Sequence, residues 1–292
     1  MLYLVLSVAC TVLIGFLFKV FPRKGVDTFQ AIIFNYMTCV VMGILHTGHF
    51  PISQQNWESA WWPYALFLGI VFITGFNAAA LTVRYFSVTL SQIMQKMSIL
   101  LTVPFAVLAY RESFGAMKFL GVLLAVGSIV LVNWPKKNVD GVAEGEILGR
   151  RAIWIPAVTW ILSGVIECMF LFVQNEGMAL PEDPNFMIMI FFTAGTLGAL
   201  KLGVDLLRNK REFAWRNLTA GILLGIPNYG SIYFLLLALG TGLGGSFIFP
   251  VTNVSVILLT TFGALWLFQE SLSKLNWVGI GFAVLAIWAI SV

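Results

Sequence analysis

Two long stretches of the chain decide its fold. Residues 81–132 read LTVRYFSVTLSQIMQKMSILLTVPFAVLAYRESFGAMKFLGVLLAVGSIVLV, and residues 238–287 read ALGTGLGGSFIFPVTNVSVILLTTFGALWLFQESLSKLNWVGIGFAVLAI. In each stretch a short turn with Glu and Ser separates two apolar runs. A run of about 20 apolar residues is long enough to cross the hydrocarbon core of a bilayer as a helix. Both stretches therefore predict pairs of membrane-spanning helices.

The two stretches also match each other at one offset. Ile99-Leu100-Leu101-Thr102 corresponds to Ile257-Leu258-Leu259-Thr260, an offset of 158 residues (257 − 99), and Glu112-Ser113 corresponds to Glu270-Ser271 at the same offset. Apolar composition explains isolated matches, but a run of four and a polar pair in one register indicate an internal repeat.

The same pattern extends over the whole chain. Of its 292 residues, 59% are hydrophobic and only 10% are charged, whereas soluble domains have about 45–50% and about 25%. The excess apolar surface must face lipid, which predicts an all-α polytopic membrane protein with ten transmembrane helices. The predicted spans are 2–20, 28–46, 63–84, 87–109, 114–133, 151–173, 186–206, 217–239, 244–268 and 275–291.

Ten spans and a repeat give five spans in each half of the chain. We expect a first five-helix repeat in residues 1–134, a connecting loop in 135–149 and a second repeat in 150–292. Because five is odd, the second repeat is inverted relative to the first. Inverted repeats recur in transporters, where the substrate binds near the bilayer midplane.

The charges support the inversion and orient the molecule. The first connection of the first half carries Lys19, Arg23 and Lys24, whereas that of the second half is acidic. Opposite charge at equivalent loops is what the positive-inside rule requires of inverted halves. Connections 1–2, 3–4, 5–6, 7–8 and 9–10 hold all but three of the 17 Lys and Arg. We therefore expect these connections in the cytoplasm and both termini outside it. The membrane is expected to be the cell (inner) membrane. We attribute the net charge of +4 to this bias and not to a nucleic-acid partner.

The repeated segments resemble those of the drug/metabolite transporter superfamily, and within it the EamA-type ten-helix transporters. The resemblance covers essentially the whole chain, although Ile99 and Ile257 stand where that family commonly has Pro. It implies a secondary transporter working without ATP, often an exporter of amino acids or other small metabolites by alternating access. The chain also lacks a Gly-rich phosphate loop followed by Lys-Ser/Thr.

Lys96 is the sharpest candidate for a substrate-binding residue. It lies about nine residues, hence about 13 Å, into the fourth span, near the bilayer midplane. Gln92 and Gln95 share its helix face at i, i+3 and i+4 spacing. A charge at this depth is costly and marks a functional site by default; the alternative is an ion pair that only joins helices.

Glu167 is the second charge within a span. Trp160, Ser163, Gly164 and Glu167 form one stripe of the sixth span by helical spacing. Two functional roles stay open for the carboxylate, binding a substrate amine and carrying a coupling proton. The structural alternative is pairing with Lys96.

Neutral polar residues complete the predicted substrate-binding set: Asn77, Asn228, Tyr229 and Asn253. Gln95 and Asn253 are equivalent at the repeat offset, so we expect these amides to face each other. Interhelical amide bonds are also ordinary structural contacts in membrane bundles. Pro227 predicts an interruption of the eighth span, either a hinge or site or a simple kink.

Other side chains suggest structure rather than chemistry. Glu112 and Glu270 precede Ser residues that are candidate helix caps, and His46 and His49 lack a third metal ligand nearby. We expect no metal and no cofactor, and a small solute and the lipid bilayer as partners. A membrane-embedded enzyme is the main alternative and a non-transporting receptor or scaffold the weaker one; the spans show no catalytic constellation for the enzyme.

Overall fold

The computed structural model of the protein describes residues 1–50, 58–110, 115–132, 152, 154–179, 184–239, 241, 245–269 and 272–292. Over these ranges the regular secondary structure is helical throughout. In chain order the helices are α1 (Leu2–Arg23), α2 (Thr28–Thr47), α3 (Trp62–Tyr85), α4 (Val88–Lys96), α5 (Ile99–Tyr110), α6 (Ala116–Val132), α7 (Trp154–Asn175), α8 (Pro184–Leu207), α9 (Trp215–Leu239), α10 (Gly245–Phe268) and α11 (Lys274–Ser291).

This architecture is an all-α polytopic membrane protein, as predicted. Within the described ranges, eight segments are long and apolar enough to cross a bilayer, one of them formed by α4 and α5 together. Two shorter apolar helices lie at 116–128 and 274–289. Together these ten segments coincide with the ten predicted spans to within a few residues.

The fourth predicted span, 87–109, coincides with the membrane segment Val88–Tyr110, but this segment is divided into two helices, α4 and α5. The helix breaks at Met97 and Ser98, where the amides of Leu100 and Leu101 bond the carbonyls three residues back (3.0 and 2.7 Å). The Ser98 hydroxyl donates to the Gln95 carbonyl at 2.5 Å, and the Trp160 indole donates to the Met97 carbonyl at 2.9 Å. Side chains thus bond the carbonyls at the break.

The eighth span is one continuous helix, α9, from Trp215 to Leu239, with Pro227 inside it; the hinge and the kink stay predictions. Proline removes one helical hydrogen bond, a loss that transmembrane helices tolerate. The glycines of this helix serve packing instead: a Cβ at Gly221 would lie 2.8 Å from the Ala31 carbonyl oxygen. Such an approach places α9 directly against α2.

The chain forms two compact units. The first contains residues 1–77 and 169–243, and the second contains residues 78–168 and 244–292. In the first unit α2 packs against α8 and α9, and in the second α6 packs against α11 and α4 against α10. These pairs include spans two and seven, four and nine, and five and ten, which are equivalent positions of the two halves. Each unit is therefore built from both halves of the chain.

Each unit has its own buried core. In the first, Tyr36 is fully buried, stacks on Phe191 and donates its hydroxyl to the Phe72 carbonyl at 2.9 Å. In the second, an apolar cluster includes Ile93 and Met97. The predicted Glu-Ser turns at 112–113 and 270–271 lie outside the described residues, and the N-cap of α11 is Ser273, in a capping box with Asn276.

Candidate substrate site

The centre of the candidate site is Lys96, the last residue of α4. Its side chain is partly buried in the second unit. Within the described residues no hydrogen bond to its ammonium group is formed, while its electrostatic partner is Glu167. The carbonyls at the end of a helix favour a positive charge. The break after α4 therefore stabilises the ammonium group without occupying its hydrogen-bonding positions.

The carboxylate of Glu167 lies on α7 within the same unit. The Thr102 hydroxyl is 3.1 Å from its Oε2 atom, and the Ser98 hydroxyl also lies against it. Neutral hydroxyls stabilise a carboxylate without neutralising its charge. The hydroxyl of Thr102 therefore stabilises the ionised form of Glu167, which could pair with Lys96 or with a cationic ligand group.

Successive turns of α7 contact the fourth span at and after its break. Trp160 bonds the Met97 carbonyl at 2.9 Å, and Glu167 accepts from Thr102. Between them, a Cβ at Gly164 would clash with the side chain of Leu101. The stripe predicted on the sixth span therefore faces the break in the fourth, and the absence of a side chain at position 164 allows the approach.

The two amides next to Lys96 differ in their bonding. Gln92 is 3% exposed, and its Oε1 atom has no hydrogen-bond partner among the residues that the structure describes. Gln95 donates to the carbonyl and the hydroxyl of Ser91 at 3.2 and 3.3 Å. Since an unsatisfied buried carbonyl costs about 1–3 kcal/mol, Gln92 has an unmet capacity to accept a hydrogen bond.

Ser163 and Asn253 also belong to the second unit, where Ser163 is partly buried and Asn253 is 6% exposed. Gln95 directs its amide nitrogen to Ser91, and among the described residues no hydrogen bond joins it to Asn253. That the two equivalent amides face each other stays a prediction.

The remaining predicted residues lie in the first unit. Asn77 donates to the carbonyl of Ile73 in its own helix at 2.7 Å. Asn228 is 2% exposed and donates to the Cys39 sulfur at 3.6 Å, and the Tyr229 hydroxyl is 3.0 Å from His46 Nδ1. In the described conformation, Asn228 and Tyr229 join α2 to α9.

Sequence reasoning missed Ser98 and Thr102, which contact the carboxylate of Glu167. A signal for Thr102 was present, because the polar positions 92, 95 and 96 continue to it at helical spacing. Ser98 lies in the break itself, and the break could not be predicted because neither residue 97 nor residue 98 is a proline or a glycine.

Comparisons with known proteins support a membrane-transport family. The chain is 26% identical over 299 residues to an uncharacterised protein of Haemophilus influenzae, an alignment that covers 98% of this chain and 96% of that protein. It also shares its fold with a protein solved by crystallography, at a TM-score of 0.61 and 12% identity over 97% of this chain and 95% of the other. Residues 1–134 match the model of the EamA-like transporter family, and this match confirms the resemblance to drug/metabolite transporters for the first of the two repeated segments, residues 81–132.

Proposed function

We propose that the protein is a secondary transporter, in the export direction, for a small zwitterionic metabolite such as an amino acid. The single observation that carries this proposal is the opposed pair Lys96 and Glu167 at the break of a transmembrane span. The family match supports a membrane transporter, and the export direction rests on the resemblance alone.

The charges of the site suit a zwitterion. Lys96 would bind the carboxylate of the substrate, and Glu167 would bind its ammonium group. Without substrate the two opposite charges would compensate each other through space, and with substrate each would have an opposite charge on the ligand. The site is then close to neutral in both conditions, which lowers the cost of holding charges inside a membrane.

The aromatic and amide side chains would complete the site. Trp160 holds the Met97 carbonyl and so fixes the break that ends beside Lys96. Gln92 would accept from the substrate a hydrogen bond that none of the described residues donates to its Oε1 atom. Alternating access between the two inverted repeats would then expose this site to each side of the bilayer in turn, and proton exchange at Glu167 would couple transport to a proton gradient.

The proposal is tested by charge removal in purified protein reconstituted into sealed liposomes. Lys96→Met and Glu167→Gln keep the approximate side-chain size and remove one charge each. We expect each to weaken binding of a transported amino acid roughly 10- to 150-fold, since a hydrogen bond to a charged group contributes about 1.5–3 kcal/mol. Lys274→Met, which removes an exposed charge at the start of α11, is the matched control.

Melting temperatures of the same variants separate function from structure. If the pair only joins helices, each single variant loses about 3–5 kcal/mol of stability and the double variant regains it. Full transport by a stable double variant would show that the pair does not bind substrate. Loss of transport in variants that melt like the wild type supports the proposal.

A further inference from the structure

A cavity lies in the first unit, among residues that the candidate substrate site does not include. It is a groove between α2 and α8, with a volume of about 660 Å³, within the range of about 300–1,000 Å³ usual for ligand pockets. Three α2 residues and nine α8 residues line it, and Thr196 is the one polar side chain among them. Val41, Leu200 and Leu207 are 54%, 64% and 86% exposed. Because these helices span the membrane, such side chains face lipid.

Small residues line one side of the groove. Gly195, Ala199 and Gly203 follow one another at intervals of four residues along α8 and all line the groove. A Cβ at Gly203 would meet no atom within 4 Å. The small residues at these positions therefore leave the space of the groove open.

The groove follows much of the length of α8. From Phe191, the first α8 residue of its lining, to Leu207 the helix rises about 24 Å, against about 30 Å for the whole hydrocarbon core. Leu207 is the last residue of α8, so the groove reaches the end of this membrane-spanning helix.

Two exposed cations follow at the surface end. Arg208 continues the last helical turn, since its amide bonds the Val204 carbonyl at 3.1 Å, and Lys210 comes two residues later. Neither side chain forms a hydrogen bond or an ion pair within the described ranges. Arg211, in contrast, is bound by Asp27 and Asp205. Positive charge is thus available where the headgroup of a lipid in the groove would lie.

We propose that this groove is a binding site for an anionic phospholipid, with an acyl chain between α2 and α8 and the phosphate beside Arg208 and Lys210. Charge complementarity favours this occupant over a second copy of the chain. A two-fold dimer through this face would place the same basic ends of both copies side by side, and like charges oppose such an interface.

The test uses the full chain purified in detergent and depleted of lipid. Phosphatidylglycerol and phosphatidylcholine are titrated separately, and binding is measured by native mass spectrometry and by the rise in melting temperature. Gly203→Leu fills the groove, and the double variant Arg208→Gln/Lys210→Gln removes the surface charge. Gly281→Leu and Lys274→Gln are the matched controls, because Gly281 also has open space around its Cα and both residues lie in the second unit.

We expect wild-type protein to retain phosphatidylglycerol in preference to phosphatidylcholine. Gly203→Leu should lose binding of both lipids, and the charge variant should bind phosphatidylglycerol about 30-fold more weakly, while both controls bind as the wild type does. Unchanged phosphatidylglycerol binding in Gly203→Leu, or equal binding of both lipids by the wild type, would overturn the proposal. A dimer that Gly203→Leu dissociates would assign the groove to a second copy. The charge variant changes only exposed residues, so it tests the headgroup contact even if Gly203→Leu fails to fold.

Discussion

At the scale of single residues, Lys96 and Arg211 show two ways of holding a cation. Arg211 contacts the carboxylates of Asp27 and Asp205, and Lys201 binds Asp205 at 2.5 Å. Lys96 has an opposite charge nearby but no hydrogen bond within the described residues. A satisfied cation belongs to the structure, whereas one with free donors is suited to a ligand.

This contrast predicts different effects of removing the two charges. Arg211→Gln leaves Asp27 and the nearly buried Asp205 with less compensation, and we expect the free energy of unfolding to fall by about 1.5–3 kcal/mol. Lys210→Gln, one residue away and without a partner in the described ranges, should stay within about 0.5 kcal/mol of the wild type. Denaturation in detergent without added lipid measures both, and equal melting of the two variants would contradict the structural role of Arg211.

At the scale of helices, the break between α4 and α5 is the feature that separates the fourth span into two helices. Lys96 is the last residue of α4, immediately before the break. Trp160 of α7 donates a hydrogen bond to the Met97 carbonyl within the break. No proline or glycine occupies residues 97–98, so the break depends on side chains from elsewhere in the fold. Helices that are discontinuous near the bilayer midplane are characteristic of transporter binding sites.

We therefore predict that Trp160→Phe weakens the break while keeping an aromatic ring in place. The loss of one hydrogen bond to the Met97 carbonyl should cost about 1 kcal/mol of stability, and transport should fall because Lys96 is no longer fixed. Trp154→Phe changes the exposed first residue of the same helix and is the matched control. Liposome transport and thermal melting of both variants decide the matter: a Trp160→Phe protein that transports like the control would show that the bond is incidental.

At the scale of the whole molecule, the sequence predicts most of the fold and only part of the candidate site. Long apolar runs have one physical solution in lipid, which is helices whose backbone groups are bonded internally, so the ten segments were predictable. The stripe of Trp160 and Glu167 was predictable from helical spacing. The break at Met97 and the contacts of Ser98 were not, because they depend on which distant helix packs against that span.

The division into two compact units also could not be predicted from the sequence. Equivalent spans of the two halves are 158 residues apart in the sequence (257 − 99), yet α6 packs against α11 and α4 against α10 within one unit. Repeats in the chain and compact units in the fold are different partitions, and only the first leaves a trace in the residue pattern.

The orientation of the molecule in the membrane remains a prediction. In the first unit the basic connections 1–2 and 7–8 meet, because Asp27 binds Arg211 and Gln30 donates to the Glu212 carbonyl at 2.8 Å. These connections therefore lie on one side of the bilayer, and the positive-inside rule places that side in the cytoplasm and Val292 outside it.

A green fluorescent protein fused after Val292 should remain dark, whereas alkaline phosphatase fused there should be active. The same reporters inserted after Asn138, in the predicted cytoplasmic loop, should give the opposite results. Fluorescence from the Val292 fusion together with phosphatase activity at Asn138 would reverse the orientation, and basic loops would then face the outside against the charge rule.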